Sequence, residues 1–353
     1  MTVAPEASTP VKPYGNKPNH DGIVVRDLSK CFKSGNHAVQ ALSHVSLEAY
    51  SGQVLGILGS NGAGKTTLLN ILTTVTRPDA GEAWVGGYSV LTQAEQVRQR
   101  LGVVSQDDRF DTYLTLWENL SLHAELHGMP KRQFVPRIER LLKQVDLYER
   151  RNSYVELFSG GMRRKASLIR ALIHEPAILF LDEPTTGLDP VARRQVWDAI
   201  LSLRVGRTLV LTTHYMEEAD QLCDTLVLMD KGQVLTSGTP TQLKQQVARQ
   251  QKAALGGQAL WQCRFSQPVA GQWLESLQAK APAGSVIKTP KEDTLHVMMP
   301  LENSHWLWVW AASLPQNTLT AIEQPLPSLE TVFFALVDKP IALNEDLVSG
   351  GLV

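Results

Sequence analysis

The sequence predicts an α/β protein with a mixed sheet and a helical insert, followed by a small α+β domain. Three observations carry this. Short apolar runs such as Val54-Leu55-Gly56-Ile57-Leu58 and Ile178-Leu179-Phe180-Leu181 alternate with stretches of helical periodicity, the pattern of strands buried on both faces of a parallel sheet. The first run feeds a glycine-rich loop, and the second ends on paired carboxylates. Beyond Pro240 the order of expected elements changes, and 353 residues exceed one ordinary core, so two domains are expected.

Composition narrows the function. With 34 basic and 35 acidic residues the net charge is −1, which argues against a nucleic-acid binder that relies on a broad basic face. The cysteines Cys31, Cys223 and Cys263 are scattered, with no CxxC and no histidine pairing at metal-ligand spacing, and read as free thiols in a reducing compartment. No apolar run reaches the ~18 to 20 residues of a membrane span; the most tempting, Trp306 to Ala312, is far too short. The N-terminus has no charged start followed by an apolar core. A soluble cytoplasmic protein is expected, with any membrane role coming through a partner.

In chain order, residues 1–21 are rich in Pro, Asn, Lys and Ser and read as a disordered lead. Ile23 to Leu28 and Val45 to Ala49 read as paired strands. Phe32 falls between them on an expected loop, where it is equally suited to stacking on a purine and to ordinary core packing. Residues Gly59, Ser60, Asn61, Gly62, Ala63, Gly64, Lys65, Thr66 and Thr67 follow the Val54–Leu58 strand and lead into the helical start Leu68-Leu69-Asn70-Ile71-Leu72. This is the strand, loop and helix of a P-loop. A triphosphate must lie against bare backbone, so the glycines let the chain curl and present N–H donors beside the positive end of the helix. Lys65 is suited to the β- and γ-phosphates, Thr66 to Mg²⁺, and Thr67 to the loop beside the α-phosphate.

A turn at Arg77 to Glu82 precedes strands at Ala83–Val85 and Tyr88–Val90. The strand Leu101 to Ser105 stops at Gln106, whose amide can bind Mg²⁺ or the attacking water; taken alone it is an ordinary strand end. From about residue 110 to 170 the apolar positions recur at threes and fours, a helical insert in which Phe110, Tyr113, Trp117 and Phe134 are either partner contacts or core. Within it Ser159-Gly160-Gly161-Met162 opens a helix bearing Arg163, Arg164, Lys165 and Arg170, either an anion site or a well-capped helix with a solvated basic face. The Ile178–Leu181 strand places Asp182 and Glu183 at the carboxyl edge of the sheet, where ligands sit in α/β folds. Asp182 is suited to Mg²⁺ and Glu183 to orienting and deprotonating water. Gly187-Leu188-Asp189-Pro190 forms a rigid turn into the next helix. The strand Leu209 to Thr213 delivers His214 to the same edge, within reach of a γ-phosphate. A hairpin, Thr225–Met229 with Gln233–Ser237, closes this region.

Residues 240–257 read as a polar linker helix and a Gly256-Gly257 hinge. Residues 258–338 read as strand, helix, two strands, helix, strand and a last apolar helix, an order that suggests a ferredoxin-like sandwich. The rest, 339–353, is tail.

Taken together, the P-loop, strand-end Gln106, Ser159–Met162, Asp182-Glu183, Asp189 and His214 resemble the ATP-binding subunit of ABC transporters across residues 22–239. The resemblance implies that Gly59–Thr67 is the Walker A loop, Gln106 the Q-loop, Ser159 to Met162 (with Gly160 and Gly161) the family signature, Asp182 the Walker B aspartate, Glu183 the catalytic glutamate, Asp189 the D-loop and His214 the switch histidine. Phe32 falls where the family usually carries an adenine-stacking aromatic. Phe158-Ser159-Gly160-Gly161-Met162 departs from the commoner Leu-Ser-Gly-Gly-Gln. With Thr212-Thr213-His214-Tyr215-Met216-Glu217-Glu218-Ala219 and Pro327–Phe333, it is similar to the drug-resistance, nodulation-factor and lipid-exporting branch. The resemblance implies a homodimer clamping two ATP with Mg²⁺, in which Ser159 and Gly161 act across the interface. It also implies export through a separate transmembrane permease docked on the insert, at the cytoplasmic face of the membrane, and a C-terminal domain that supports or regulates the dimer. A different class, a soluble ABC ATPase acting on nucleic acid or ribosomes, is disfavoured by the neutral charge and the single P-loop. A nucleotide-gated adaptor without turnover is disfavoured by the presence of Asp182, Glu183 and His214.

Overall fold

The computed structural model describes residues 22–34, 37–107, 110–254, 258–283, 285–300, 303–315, 317–324 and 327–336. The expected lead (1–21), the Gly256-Gly257 hinge, the start of the last helix at Pro325 and the tail from 339 lie outside the described residues. The chain divides into two compact units, residues 1–238 and 239–353.

In the first unit the opening strands are longer than expected. β1 (Ile23–Ser34) and β2 (His37–Ala49) pair antiparallel, with Phe32 opposite Val39. Phe32 therefore sits in a strand, not on a loop, and it is 45% exposed, which removes the core alternative. β3 (Val54–Gly59) leads through the glycine loop into α1 (Lys65–Leu72). β4 (Ala80–Val85) and β5 (Tyr88–Ser89) complete an antiparallel sheet in the order β2-β1-β4-β5. Next come α2 (Ala94–Arg100), β6 (Leu101–Val104), α3 (Leu116–Leu126), α4 (Lys131–Gln144) and α5 (Gly160–Leu172). Then follow β7 (Ile178–Asp182), α6 (Pro190–Leu203), β8 (Thr208–Thr213), α7 (Met216–Leu222), β9 (Thr225–Asp230) and β10 (Gln233–Gly238).

The second sheet runs β10-β9-β3-β8-β7-β6, parallel except for the antiparallel β9–β10 hairpin. Every residue of β3, β7 and β8 is buried, as their unbroken apolar runs require. Parallel pairing has one consequence that matters for function: the ends of β3, β6, β7, β8 and β9 all fall on one edge. One apolar cluster takes in both sheets and α1, including Ile23, Leu42, Leu55, Ile57, Leu68, Ile71, Val85, Phe180 and Val210. Each such side chain gains roughly 1.5–3 kcal/mol from leaving water, so the platform beneath that edge is rigid.

In the insert, α3 carries a capping box in which Thr115 and Glu118 satisfy each other's backbone amides. Phe134 is 1% exposed and belongs to the core, whereas Tyr113 is 88% exposed.

The second unit begins with α8 (Pro240–Ala254). Then come β11 (Gln258–Phe265), α9 (Gly271–Lys280), β12 (Val286–Lys291), β13 (Thr294–Pro300), α10 (Ser304–Ala312), β14 (Leu319–Glu323) and α11 (Leu329–Leu336). Its sheet is wholly antiparallel, in the order β12-β13-β11-β14. Cys263, Phe265, Leu277, Leu295, Val297, Leu307 and Trp310 form its core, and α11 packs on α8.

Candidate functional site

The loop between β3 and α1 is shaped by two glycines in the left-handed region, Gly62 at φ 83° and Gly64 at φ 98°. A Cβ on Gly64 would stand 2.5 Å from the Ala41 carbonyl oxygen, so backbone from β2 closes against the loop. Gly64 is also the N-cap of α1; it brings no side chain to the cap, and the first turn holds no acidic residue. The amides of a first helical turn lack intrahelical partners, and they carry the positive end of the helix dipole. Uncapped amides, no local carboxylate in that turn and a buried ammonium make a donor set that fits a polyphosphate. Lys65 is 5% exposed, and its Nζ donates to the carbonyls of Gly59 (2.9 Å) and Ser60 (3.1 Å). Ser60 donates through Oγ to Asp230 at the end of β9 (3.3 Å), a contact between distant segments that no local motif announces. Ser60, Asn61, Gly62 and Thr66 are exposed, Gly64 and Thr67 half-buried, Gly59 and Ala63 buried.

Opposite the loop, Asp182 ends β7 and is 7% exposed; its Oδ1 accepts from Thr212 Oγ1 at 2.5 Å. Glu183 is the first residue past the strand, in the left-handed region at φ 45°. That conformation costs about 1–3 kcal/mol in a non-glycine residue and collects at functional sites. It is held by the Glu183 amide, which donates to both the carbonyl and the hydroxyl of Thr212 at 3.1 Å. The carboxylate then reaches across the edge: Oε1 stands 3.5 Å from Lys65 Nζ and 3.3 Å from His214 Nδ1, while Oε2 accepts from Thr186 Oγ1 at 3.0 Å. Burial pushes this carboxyl up, but His214, Thr186 and the Lys65 charge together outweigh it and hold it below the ordinary glutamate range. At neutral pH Glu183 is a carboxylate, the form a general base needs.

The structure thus brings Lys65, Asp182, Glu183 and His214 together. Gln106 is exposed just past β6. Its main chain, not its amide, carries the link to the centre, through Arg164 of the basic run that opens α5. Arg164 is 4% exposed, and it donates to the carbonyls of Ser105 (2.7 Å), Gln106 (3.1 Å) and Glu183 (3.4 Å). One guanidinium on α5 therefore joins the ends of β6 and β7. Ser159 caps α5, accepting from the Met162 amide at 3.3 Å, and is exposed. Gly160 and Gly161 face the next turn: an added Cβ would meet Leu188 at 2.9 Å and Ala192 at 3.1 Å. Asp189 caps α6, accepting from the amides of Val191 and Ala192 at 2.9 and 3.0 Å. Phe32 carries Lys30 over its ring at 5.4 Å.

Glu218 is a second residue that sequence reading missed. It is fully buried on α7 and accepts from Thr185 Oγ1 (2.7 Å) and Trp197 Nε1 (3.1 Å). It ties the segment after Glu183 to α6. Burial raises its carboxyl above the ordinary range.

Comparison with known proteins decides the family. The pattern of the ABC transporter family matches residues 42–186. The chain is 35% identical over 339 residues to the doxorubicin resistance ATP-binding protein DrrA of Mycobacterium tuberculosis, covering 93% of this chain and 97% of that one. The chain belongs to the ABC transporter family of ATP-binding proteins. It is also 46% identical over 206 residues to the daunorubicin resistance ATP-binding protein DrrA3 of Streptomyces coeruleorubidus, covering 58% of this chain and 65% of the relative. Among solved structures, it resembles a dimeric ATP-binding cassette in a post-hydrolysis state bound to ADP and Pi, with TM-score 0.56, 25% identity, and coverage of 62% of this chain and 98% of that one. This ABC protein binds ATP and is an ATPase. Among the described residues no helix is long and apolar enough to cross a membrane.

Proposed function

We propose that this chain is the ATP-hydrolysing subunit of an exporter, working as a homodimer that closes on two ATP and drives a separate transmembrane permease from the cytoplasmic face. The observation that carries this reading is Glu183, held as a carboxylate between Lys65 at the start of α1 and His214 just past β8.

The loop amides of residues 59–67 and the Lys65 ammonium receive the phosphates. Thr66, Asp182 and Gln106 would hold Mg²⁺, which when bound neutralises charge on the β- and γ-oxygens. Glu183 orients water and takes its proton, and His214 holds Glu183 and meets the γ-phosphate. Phe32, exposed on β1, offers a face for adenine. Ser159, Gly160 and Gly161 lie outside this cluster of strand ends. Ser159 is exposed, which suits closure over the γ-phosphate of a partner copy, with Asp189 setting the neighbouring turn. The closed dimer binds ATP more tightly than the open one, and that difference is the work available to move a permease.

Export is supported by the branch-specific Ser159–Met162 and Thr212–Ala219 segments and by relatives named for drug resistance. The permease is assigned to the insert, where Tyr113 is exposed and Phe110 and Trp117 are half-buried. The domain limits proposed are 22–239 for the ATPase and 258–338 for the accessory domain. The order of strands and helices in the latter supports a ferredoxin-like reading and a supporting or regulatory role.

The test is Glu183→Gln. It should retain ATP, form an ATP-dependent dimer on a sizing column and hydrolyse ATP ~10² to 10⁴ times more slowly. Unchanged turnover would remove Glu183 as the base, and a monomer without retained nucleotide would overturn the clamp. Co-purification with RNA or DNA instead of a membrane protein would favour the soluble alternative.

A further inference from the structure

Outside the nucleotide site, three histidines converge in the helical insert. His123 and His127 stand one turn apart at the end of α3, with His127 as its C-cap, so they share a face. His174 arrives from the end of α5, more than forty positions further on. One ring nitrogen from each lies within 4.8 Å of the other two. Sequence reading found no histidine pairing at metal-ligand spacing; the i, i+4 pair His123 and His127 corrects that, and only the fold reveals the third ring.

Two features set this cluster apart from ordinary packing. His174 Nε2 lies 3.0 Å from the Leu101 carbonyl oxygen, a contact that requires the N–H on Nε2 and leaves Nδ1 as a bare lone pair. That Nδ1 is buried without a partner, and so is His123 Nε2. Stacking accounts for His127 against His174, whose centroids are 4.3 Å apart and 6° from parallel, but it satisfies neither nitrogen. A ring N–H fixed on a backbone carbonyl, with the other nitrogen free, is the arrangement that orients metal-ligating histidines. Burial, with His127 and Arg170 adding, lowers His123 to about 4; burial also lowers His174 despite the opposing Leu101 contact. Both rings are neutral at physiological pH, the form that ligates.

We propose that His123, His127 and His174 form a three-histidine site for one divalent transition-metal ion, zinc being the ion its chemistry fits best. Three imidazole ligands suit Zn²⁺ and its borderline neighbours rather than Mg²⁺ or Ca²⁺, which demand oxygen. Zinc–nitrogen bonds of about 2.0–2.1 Å require the rings to draw closer. His127 is exposed, so it is free to rotate toward the two buried nitrogens and leaves a fourth position for water. The positive charges of Arg170 and Arg137 act at His123 and His174 and oppose a bound cation as well, although Arg137 is paired with Glu175 at 2.9 Å. Affinity is accordingly modest, and the ion ties α3 to the end of α5 and, through Leu101, to the start of β6.

The experiment uses the untagged full chain, stripped of metal and free of nucleotide, titrated calorimetrically with Zn²⁺ and followed optically with Co²⁺ as a probe. One equivalent should bind, Co²⁺ should give the intense visible bands of a four-coordinate site, and Zn²⁺ should raise the unfolding temperature. His127→Ala, on an exposed ring, should weaken binding at least about tenfold without altering the metal-free melting curve, and His174→Ala should weaken it similarly. Binding that is absent, or equal in wild type and in the His127→Ala/His174→Ala double variant, overturns the site. Stoichiometric binding that survives those changes but is lost in Cys31→Ser does so as well.

Discussion

The carboxylate of Glu183 lies 3.5 Å from the ammonium of Lys65, although 118 positions separate them. Parallel pairing of β3 with β8 and of β8 with β7 makes them neighbours. The cation that receives phosphate and the base that activates water are thus held by one sheet edge, and His214 closes the group from β8.

Removing His214 should move the pH dependence of turnover. Its contact helps hold the Glu183 carboxyl low, so in His214→Asn that pKa rises and the base is protonated at higher pH. The acid limb of the rate profile shifts toward neutrality, and turnover at its plateau falls about 10²-fold as one transition-state contact is lost. An acid limb that stays in place would show that His214 does not act on Glu183.

Gly64 and Gly62 share a left-handed backbone but not a setting. Gly62→Ala meets nothing within 4 Å and carries only the backbone penalty of about 1 kcal/mol. Gly64→Ala forces a Cβ to 2.5 Å from the Ala41 oxygen, so the loop must move. ATP affinity measured with a fluorescent analogue should survive largely intact in the first variant and collapse in the second.

Arg164→Met keeps apolar bulk but leaves the carbonyls of Ser105 and Gln106 without their donor. The expected loss is about 1–3 kcal/mol in urea unfolding, with ATPase activity falling further than stability alone explains. Arg164→Lys, a single donor centre in place of a fork, should recover only part of either. A fully active, fully stable methionine variant would show that Gln106 is positioned by other means.

Glu218 is a buried acid whose carboxyl is raised by burial above its ordinary 4.5. The native state then holds this proton more tightly than the unfolded chain, so this group's contribution falls as pH rises from the ordinary glutamate value through the folded one. Glu218→Gln retains an oxygen for Thr185 and Trp197 while removing the charge. Its stability curve should be flatter with pH, and its melting temperature at pH 7 equal to or above that of wild type. A loss of more than about 2 kcal/mol in urea unfolding at pH 7 would show that the ionised form is what binds α6 and the segment after Glu183 together.

Much of the nucleotide site is legible in one dimension because its chemistry is contiguous. Glycines, lysine and threonines must follow one another to wrap a phosphate chain, and an acid pair must end an apolar strand to reach the sheet edge. Residues whose role depends on a distant partner are illegible for the same reason. Arg164 sits in a basic run that reads as either an anion site or a solvated face, and only the approach of the ends of β6 and β7 buries it. Phe32 reads as a loop aromatic because its hairpin is made by pairing between β1 and β2, not by local pattern. His123 and His127 stand one turn apart in the sequence, but only the approach of the end of α5 brings His174 to them.

By itself, then, the sequence determined the α/β fold, the family and the linear phosphate-binding and acidic segments, since each is a local demand of backbone geometry or charge. Tertiary structure alone decided that Glu183 stands between Lys65 and His214, that Arg164 and Glu218 are buried ties, and that three imidazoles meet. These depend on which strands lie side by side, and sheet order is set by packing across the whole domain rather than by any one segment.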